Sequence, residues 1–183
     1  IINSGDGEDI IFAGEEADII YPGAGKDKID LSEDVNARDI IVLQGTGEKE
    51  LFDTVYGFSQ GRYGDTLDIS YLNLPELDIL PLVDALNVPS GYIDNCFVRL
   101  VGEGLRDVSS LSAAFGNSGD LESLKLSEGK HAVLITSTTQ DTGEFQNLYS
   151  LQQSSDKTEV HYLASFVGNY LDIDNWSTDN FLI

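Results

Sequence analysis

The chain has 183 residues, of which 41% are hydrophobic, so it can bury a core and is not a disordered acidic tail. Its 32 Asp and Glu residues face only 10 Lys and Arg, and the net charge of −22 argues against nucleic acid and anionic membranes as partners. No apolar run approaches the roughly 18 residues of a membrane-spanning helix, so we expect no membrane insertion. The single Cys96 excludes an internal disulfide framework, which leaves a hard cation as the candidate that stabilises the fold.

A nine-residue repeat opens the chain. Residues 4–30 divide into SGDGEDIIF, AGEEADIIY and PGAGKDKID, which share a glycine, an aspartate and an isoleucine column. These columns contain Gly5, Gly14 and Gly23; Asp9, Asp18 and Asp27; and Ile11, Ile20 and Ile29. Because the first residue is Ile1, within the repeat pattern, and the chain has no Met, we expect a piece of a longer protein.

The repeat then lengthens. Asp39 follows Asp27 after twelve residues, and Asp53 follows after fourteen more, across Gly45–Gly47. Asn36 is the competing choice that keeps the nine-residue phase, but the apolar residues after Asp39 match the repeat better. We therefore interpret Asp39 and Asp53 as the same unit with a longer loop.

Each repeat combines a six-residue loop with about three extended residues, whose middle isoleucine would point inward. If two repeats form one coil, residues eighteen apart lie above one another at about 4.8 Å. Asp9, Asp27 and Asp53 would then stack on one side, and Asp18 and Asp39 on the other. Stacked carboxylates repel or protonate unless a cation lies between them, and calcium accepts six to eight oxygens. The alternative is a set of ordinary Asp-Gly turns on a solvated β surface.

These repeats resemble those of the RTX (repeat-in-toxin) family of secreted bacterial proteins. The second repeat departs from the family pattern, with Glu16 in place of the second loop glycine, and the first glycine of the motif is replaced in all three repeats. The resemblance implies a parallel β-roll, similar to a right-handed β-helix, that binds several Ca²⁺ ions. The metal-site residues implied by position are Ser4, Gly5, Gly7, Asp9, Ala13, Gly14, Glu16, Asp18, Pro22, Gly23, Gly25, Asp27, Asp39 and Asp53.

The rest of the chain predicts further β structure and one helix. Strands are predicted in Phe52–Phe58, Tyr63–Ile69, Ala132–Thr136, Gln146–Leu151, Glu159–Val167 and Asn180–Ile183, with a turn at Gln140–Glu144. Asp107–Phe115 has an N-cap and helical spacing. We predict a mainly β protein: a capped β-roll in 1–72, a proline-containing connector in 73–90, and a small antiparallel β or α+β region in 91–183.

The outward positions of the first two repeats are apolar, namely Ile10, Phe12, Ile19 and Tyr21. An apolar stripe on a solvated surface promotes aggregation. We therefore expect the C-terminal region to cover these side chains.

The end of the chain resembles the C-terminus of large RTX adhesins, through Ala132–Thr136, Gln140–Glu144 and Asp172–Ile183. This implies a non-catalytic module that carries a type I secretion signal, interacts with the secretion machinery, and lies outside a Gram-negative cell, as a monomer. One alternative is the tail of a secreted RTX protease or lipase whose catalytic domain lies upstream. Another is a lectin-like sugar- or surface-binding module in residues 85–175.

Overall fold

The computed structural model describes residues 1–34, 37–44, 53–81, 83–84, 88–102, 105, 107–137, 145–155, 157–168 and 171–183. Within these ranges the protein is mainly β, with long parallel sheets and one short α-helix, which confirms the predicted class. No helix in the described ranges is long and apolar enough to cross a membrane. The predicted loop at Gly45–Gly47 and turn at Gln140–Glu144 lie outside the described residues.

Short strands in the first part of the chain alternate between two sheets, and neighbours in each sheet are parallel. One sheet contains β1 (Ile2–Asn3), β3 (Ile19–Tyr21), β5 (Ile40–Val42) and β7 (Thr66–Asp68); the other contains β2 (Ile10–Phe12), β4 (Lys28–Asp30) and β6 (Asp53–Tyr56). Ile2 pairs with Ile20, and Ile11 with Ile29. Residues two repeats apart are therefore neighbours in a sheet.

The middle residue of each repeat strand lies in a shared apolar core. Ile11 is 4% exposed, and Ile20 and Ile29 are fully buried, which confirms their predicted inward direction. Ile41 and Val55 continue the two rows in the longer repeats. Strand alternation explains this arrangement, because only the middle side chain of three faces the opposite sheet.

The C-terminal part extends the same sheets. Its strands are β8 (Asp78–Ile79), β9 (Val83–Asp84), β10 (Gly91–Tyr92), β11 (Cys96–Val101), β12 (Leu124–Lys125), β13 (His131–Ser137), β14 (Phe145–Gln153), β15 (Thr158–Val167) and β16 (Phe181–Leu182). Antiparallel pairing joins β13, β14 and β15, whereas β15 pairs in parallel with β6 and β16 with β7. The sheets thus continue across the proposed connector, and the predicted domain bounds stay a prediction.

The helix α1 (Val108–Ala114) begins where the sequence predicts. The Asp107 carboxylate accepts the backbone N–H of Ser110 at 2.7 Å, which satisfies a free donor of the first turn. Leu111 and Ala114 are buried, and the helix packs against β15. The three-stranded antiparallel layer therefore lies between two cores, one shared with the repeats and one beneath α1.

The expected cover over the outward apolar side chains is wrong for the first repeat. Ile10 is 68% exposed and Phe12 is 71% exposed, whereas Ile19 and Tyr21 are half-buried. The C-terminal region adds β15 to the edge at β6, and the strand order β2-β4-β6-β15 leaves β2 at the opposite edge. Edge-to-edge extension of a sheet leaves its outer face uncovered.

Candidate cation site

The loops of the first and third repeats, residues 4–9 and 22–27, stack directly on each other. The backbone N–H of Gly7 donates to the Ala24 carbonyl at 2.7 Å, and that of Ala24 donates to the Gly5 carbonyl at 3.2 Å. A Cβ at Gly23 or Gly25 would lie 1.8 Å from a carbonyl oxygen, that of Gly5 or Gly7 respectively. The third-repeat glycines are therefore required by the close approach of two backbones.

The loop of the second repeat keeps its shape despite its different sequence. Gly14 has a φ of +83°, and Glu16, in place of the second glycine, has a φ of +73°. Glu16 therefore adopts a left-handed conformation at a steric cost that glycine would avoid, whereas the glycines at the same repeat position, Gly7 and Gly25, have φ values of +125° and +149°. The backbone N–H of Asp34 donates to Glu15 Oε1 at 3.2 Å, which connects this loop to the segment that precedes Asp39.

The residues at the first-glycine position join each loop to the strand before it. The backbone N–H of Ser4 donates to the Tyr21 carbonyl at 3.1 Å, and that of Ala13 donates to the Asp30 carbonyl at 3.0 Å. Pro22 has no N–H to donate and is buried. These three positions therefore take part in the stacking through backbone or packing, although none is glycine.

Two columns of aspartates run along the stacked loops. In the first column, the N–H of Asp9 donates to Oδ1 of Asp27 at 2.8 Å, and the N–H of Asp27 donates to Oδ1 of Asp53 at 3.0 Å. In the second column, the N–H of Asp18 donates to Oδ1 of Asp39 at 2.8 Å. The predicted stacking is confirmed, and Asp39 holds the position for which Asn36, outside the described residues, was the competitor.

Sequence reasoning missed Asp65, which continues the second column. Its Oδ1 accepts the N–H of Asp39 at 3.0 Å, and its Oδ2 accepts the N–H of Ser59 at 2.7 Å. The sequence contains a spacing that indicates Asp65, because Asp39 and Asp65 are 26 residues apart, as are Asp27 and Asp53. With both oxygens occupied by N–H donors, Asp65 ends the column as a hydrogen-bonded carboxylate.

The second oxygen of three column members has a different environment. Oδ2 of Asp9, Asp27 and Asp39 is buried and has no hydrogen-bond partner within the described part of the chain. Asp27 and Asp39 are themselves fully buried. A buried carboxylate oxygen without a hydrogen-bond donor is costly, so a cation beside these oxygens would stabilise the fold.

Burial and repulsion from neighbouring carboxylates raise the pKa of four column members, Asp27, Asp39, Asp53 and Asp65. Burial raises the pKa of Asp27, and the charges of Asp9 and Glu8 add to the rise. Burial likewise raises the pKa of Asp53 to about 7 and that of Asp65 to about 6, with repulsion from the neighbouring column member added in each case. Both columns therefore favour positive charge, from protons or from a metal.

The oxygen atoms of the stacked loops are suitable ligands for a hard cation. The stacked loops offer oxygen donors, namely carboxylates and main-chain carbonyls, which are the ligands that calcium prefers. Within the described ranges, no three His, Cys, Asp or Glu side chains form a metal-binding cluster. An ion held here would therefore take most of its ligands from the loop backbone. The assignment of the fourteen residues named above as metal-site residues stays a prediction.

Comparisons of the chain with protein-family models, curated proteins and solved structures found no match. The class to which the geometry points is a mainly β protein with stacked, aspartate-lined loops. The particular function is therefore a matter of proposal.

Proposed function

We propose that this chain is a non-catalytic, calcium-binding parallel β-roll module of an extracellular RTX adhesin. In this proposal it folds on export and serves as the C-terminal secretion and folding-nucleation region. The observation that carries the proposal is the set of buried Oδ2 atoms of Asp9, Asp27 and Asp39, which have no donor in the described ranges. The assignment to an adhesin and to type I secretion rests on the sequence resemblance alone.

The residues that would hold the ions follow from the two columns. Asp9 and Asp27 lie on the stacked loops 4–9 and 22–27, and Asp18 and Asp39 lie in the second column. When bound, calcium would supply positive charge between carboxylates that otherwise repel one another. The aspartates contribute the negative charge, and their Oδ1 contacts to the adjacent N–H groups hold the carboxylates in place.

Calcium concentration would then set the stability of the fold. The stacked loops exist only in the folded chain, so binding stabilises the folded state by RT ln(1 + [Ca]/Kd) at each site. With the Kd of about 10⁻⁴–10⁻³ M typical of extracellular modules, one site adds only about 0.4–1.4 kcal/mol at about 1 mM calcium. Several sites must act together, and a low-calcium cytosol would keep the chain loose enough for export.

In this proposal the C-terminal segment nucleates folding, and its contacts with the repeats support that role. Phe181 pairs with Leu67 and Leu182 with Asp68, so β16 extends the sheet formed by the repeats. Trp176 is 2% exposed and stacks on Phe58, with ring centroids 5.1 Å apart. If the C-terminus leaves the export channel first, it offers a strand edge and an apolar surface to the repeats that follow.

The experiment that tests the proposal is far-UV circular dichroism with thermal melting of the EDTA-treated chain, titrated with calcium, with magnesium as the control. We expect a cooperative gain of β signal and a large rise in Tm that magnesium does not reproduce. A stripped chain that is fully folded and indifferent to calcium would overturn the proposal. Export is tested separately, in cells with a type I system, by comparing the chain with a variant that lacks residues 172–183.

A lectin-like function is the second candidate, and one cavity favours it. A polar cavity of about 350 Å³ lies near the C-terminal end of α1, with Phe115, Asn117, Gln153 and Thr158 among its lining residues. An aromatic ring beside amide and hydroxyl groups suits a small saccharide. A glycan array in the presence of calcium would show specific binding, and its absence would remove this candidate.

A further inference from the structure

The segment that lengthens the repeat before Asp39 carries a carboxylate that the nine-residue pattern does not contain. Glu33 Oε1 accepts the backbone N–H of Ala37, which folds the carboxylate back towards the strand entry. Glu33 Oε2 is buried and has no hydrogen-bond partner in the described ranges. The contact between the N–H of Asp34 and Glu15 Oε1 joins this segment to loop 13–18.

Asp39 also has a buried carboxylate oxygen without a hydrogen-bond partner in the described ranges. It is fully buried, and its Oδ1 is fixed by the N–H of Asp18 at 2.8 Å. Its Oδ2, like Glu33 Oε2, is buried without a donor in the part of the chain that the structure describes. Burial is the largest cause of the raised pKa of Asp39. The negative charges of Glu33 and Asp18 raise it further. Glu33 Oε1 lies on the N–H of Ala37, two residues before Asp39, so the two carboxylates lie in the same region of the chain.

Among the described residues, Asp65 and Arg38 do not donate a hydrogen bond to these two oxygens. Asp65 is also acidic, and both of its oxygens already accept N–H groups. Arg38 directs its Nε to Thr66 Oγ1 at 2.9 Å and its Nη2 to the Asp179 carbonyl at 3.0 Å. A cation between two carboxylates with buried, unsatisfied oxygens would stabilise both of them.

We propose that Glu33 and Asp39 together hold one hard divalent cation in the second column, with main-chain carbonyls of loop 13–18 as the remaining candidate donors. This inference rests on the proposed calcium-binding function and adds a ligand from outside the repeat. Two carboxylates are consistent with the absence of a three-residue acidic cluster in the described ranges. The longer repeat would then bind its ion by a donor set different from that of loops 4–9 and 22–27.

The test is isothermal titration of the EDTA-stripped chain with calcium, in wild type, Glu33→Gln and Glu15→Gln. Glutamine keeps the Oε1 acceptor in both variants and removes one charge from each, so Glu15→Gln is a matched control on the neighbouring loop. We expect Glu33→Gln to lose one site or to weaken it at least about tenfold, because carboxylate charge sets calcium affinity. Glu15→Gln should keep the wild-type number of sites.

A second variant tests whether Glu33 and Asp39 belong to one site. Asp39→Asn should affect the same site, so the double variant Glu33→Gln/Asp39→Asn should lose no more sites than either single variant. Equal stoichiometry and affinity in Glu33→Gln and Glu15→Gln would overturn the inference, as would a double variant that loses two sites. A wild-type chain that binds no calcium would instead overturn the proposed function.

Discussion

The backbone N–H of Asp9 donates to Oδ1 of Asp27 at 2.8 Å, while Oδ2 of the same carboxylate is buried with no donor in the described ranges. One oxygen of Asp27 therefore acts in the backbone network, and the other is available to a cation. Asparagine at position 27 would keep the hydrogen bond but not the negative charge, because its side-chain carbonyl still accepts the N–H group. The hydrogen bond and the charge can thus be tested separately.

Asp27→Asn should change stability in opposite directions with and without calcium. In EDTA at neutral pH we expect an unfolding free energy equal to or up to about 1 kcal/mol above wild type, because a neutral amide is cheaper to bury than a charge. In millimolar calcium we expect a smaller rise in Tm than in wild type. Asp30→Asn is the matched control, since Asp30 Oδ1 accepts the N–H of Ser32, two residues further along the chain, at 3.0 Å. The same loss of calcium response in both variants would contradict this prediction.

Acidification should stabilise the calcium-free chain. The folded-state pKa of Asp53 is raised to about 7 and that of Asp65 to about 6, from an ordinary value of 3.8, chiefly by burial. A raised folded pKa means that stability is fully present below the unfolded pKa and is lost as pH rises through the folded one. We therefore expect the Tm in EDTA to fall between pH 5 and pH 8.

General repulsion in a chain of net charge −22 also weakens on acidification, so a matched pair is needed. Asp53→Asn and Asp30→Asn each remove one negative charge. Only Asp53→Asn should flatten the dependence of Tm on pH, measured by circular dichroism in EDTA. Equal slopes in the two variants would assign the effect to net charge alone.

Much of the stacked arrangement could be predicted from local sequence. The period of nine places Ile11, Ile20 and Ile29 in one core, and strand alternation determines their direction. Asp107 likewise predicts the start of α1, because capping depends only on residues within one helical turn. Features that depend on a few neighbouring residues can be predicted from the sequence without knowledge of the fold.

Contacts that depend on distant segments could not be predicted in this way. The pairing of β15 with β6 joins strands that share no repeat, and it leaves Ile10 and Phe12 exposed. Asp65 was missed as a member of the second column, because the nine-residue period does not reach it and only its 26-residue spacing from Asp39 indicates it. A longer loop changes which residues are in contact, and the nine-residue period does not predict these contacts.

Gly25→Ala should destabilise the folded chain far more than Gly14→Ala. A Cβ at Gly25 would lie 1.8 Å from the Gly7 carbonyl oxygen, whereas a Cβ at Gly14 meets nothing within 4 Å. Both residues have positive φ, so Gly14→Ala should cost about 1 kcal/mol for backbone strain alone. We expect Gly25→Ala to cost more than about 2 kcal/mol, because the Cβ is fixed to the chain and the Gly7 carbonyl that it would meet belongs to the backbone.

Urea unfolding of both alanine variants in millimolar calcium measures this difference. Similar losses in the two variants would mean that loops 4–9 and 22–27 are not stacked as closely as the structure has them. Glu16→Gly should change the free energy of unfolding in the opposite direction from the two alanine variants. It should keep or raise stability, because Glu16 has a φ of +73° that glycine adopts without steric cost.

Asn180→Ala should detach the C-terminal segment from the repeats. Asn180 is fully buried, its Oδ1 accepts the Gly61 N–H at 3.0 Å, and its Nδ2 donates to the Asp65 carbonyl at 2.9 Å. Alanine would leave buried backbone groups without partners, so we expect a loss of about 2–3 kcal/mol of unfolding free energy. Asn175→Ala, at an exposed position of the same segment, is the control and should change stability little.

Trp176 fluorescence reports this detachment directly, because it is the only tryptophan of the chain. Its Nε1 donates to Gln146 Oε1 at 2.6 Å in a buried setting, so exposure to water should shift its emission to longer wavelength. In Asn180→Ala we expect this shift at lower urea than the loss of β signal in circular dichroism. Coincident transitions, as in the wild type, would mean that the segment and the repeats still unfold as one unit and that Asn180 does not connect them.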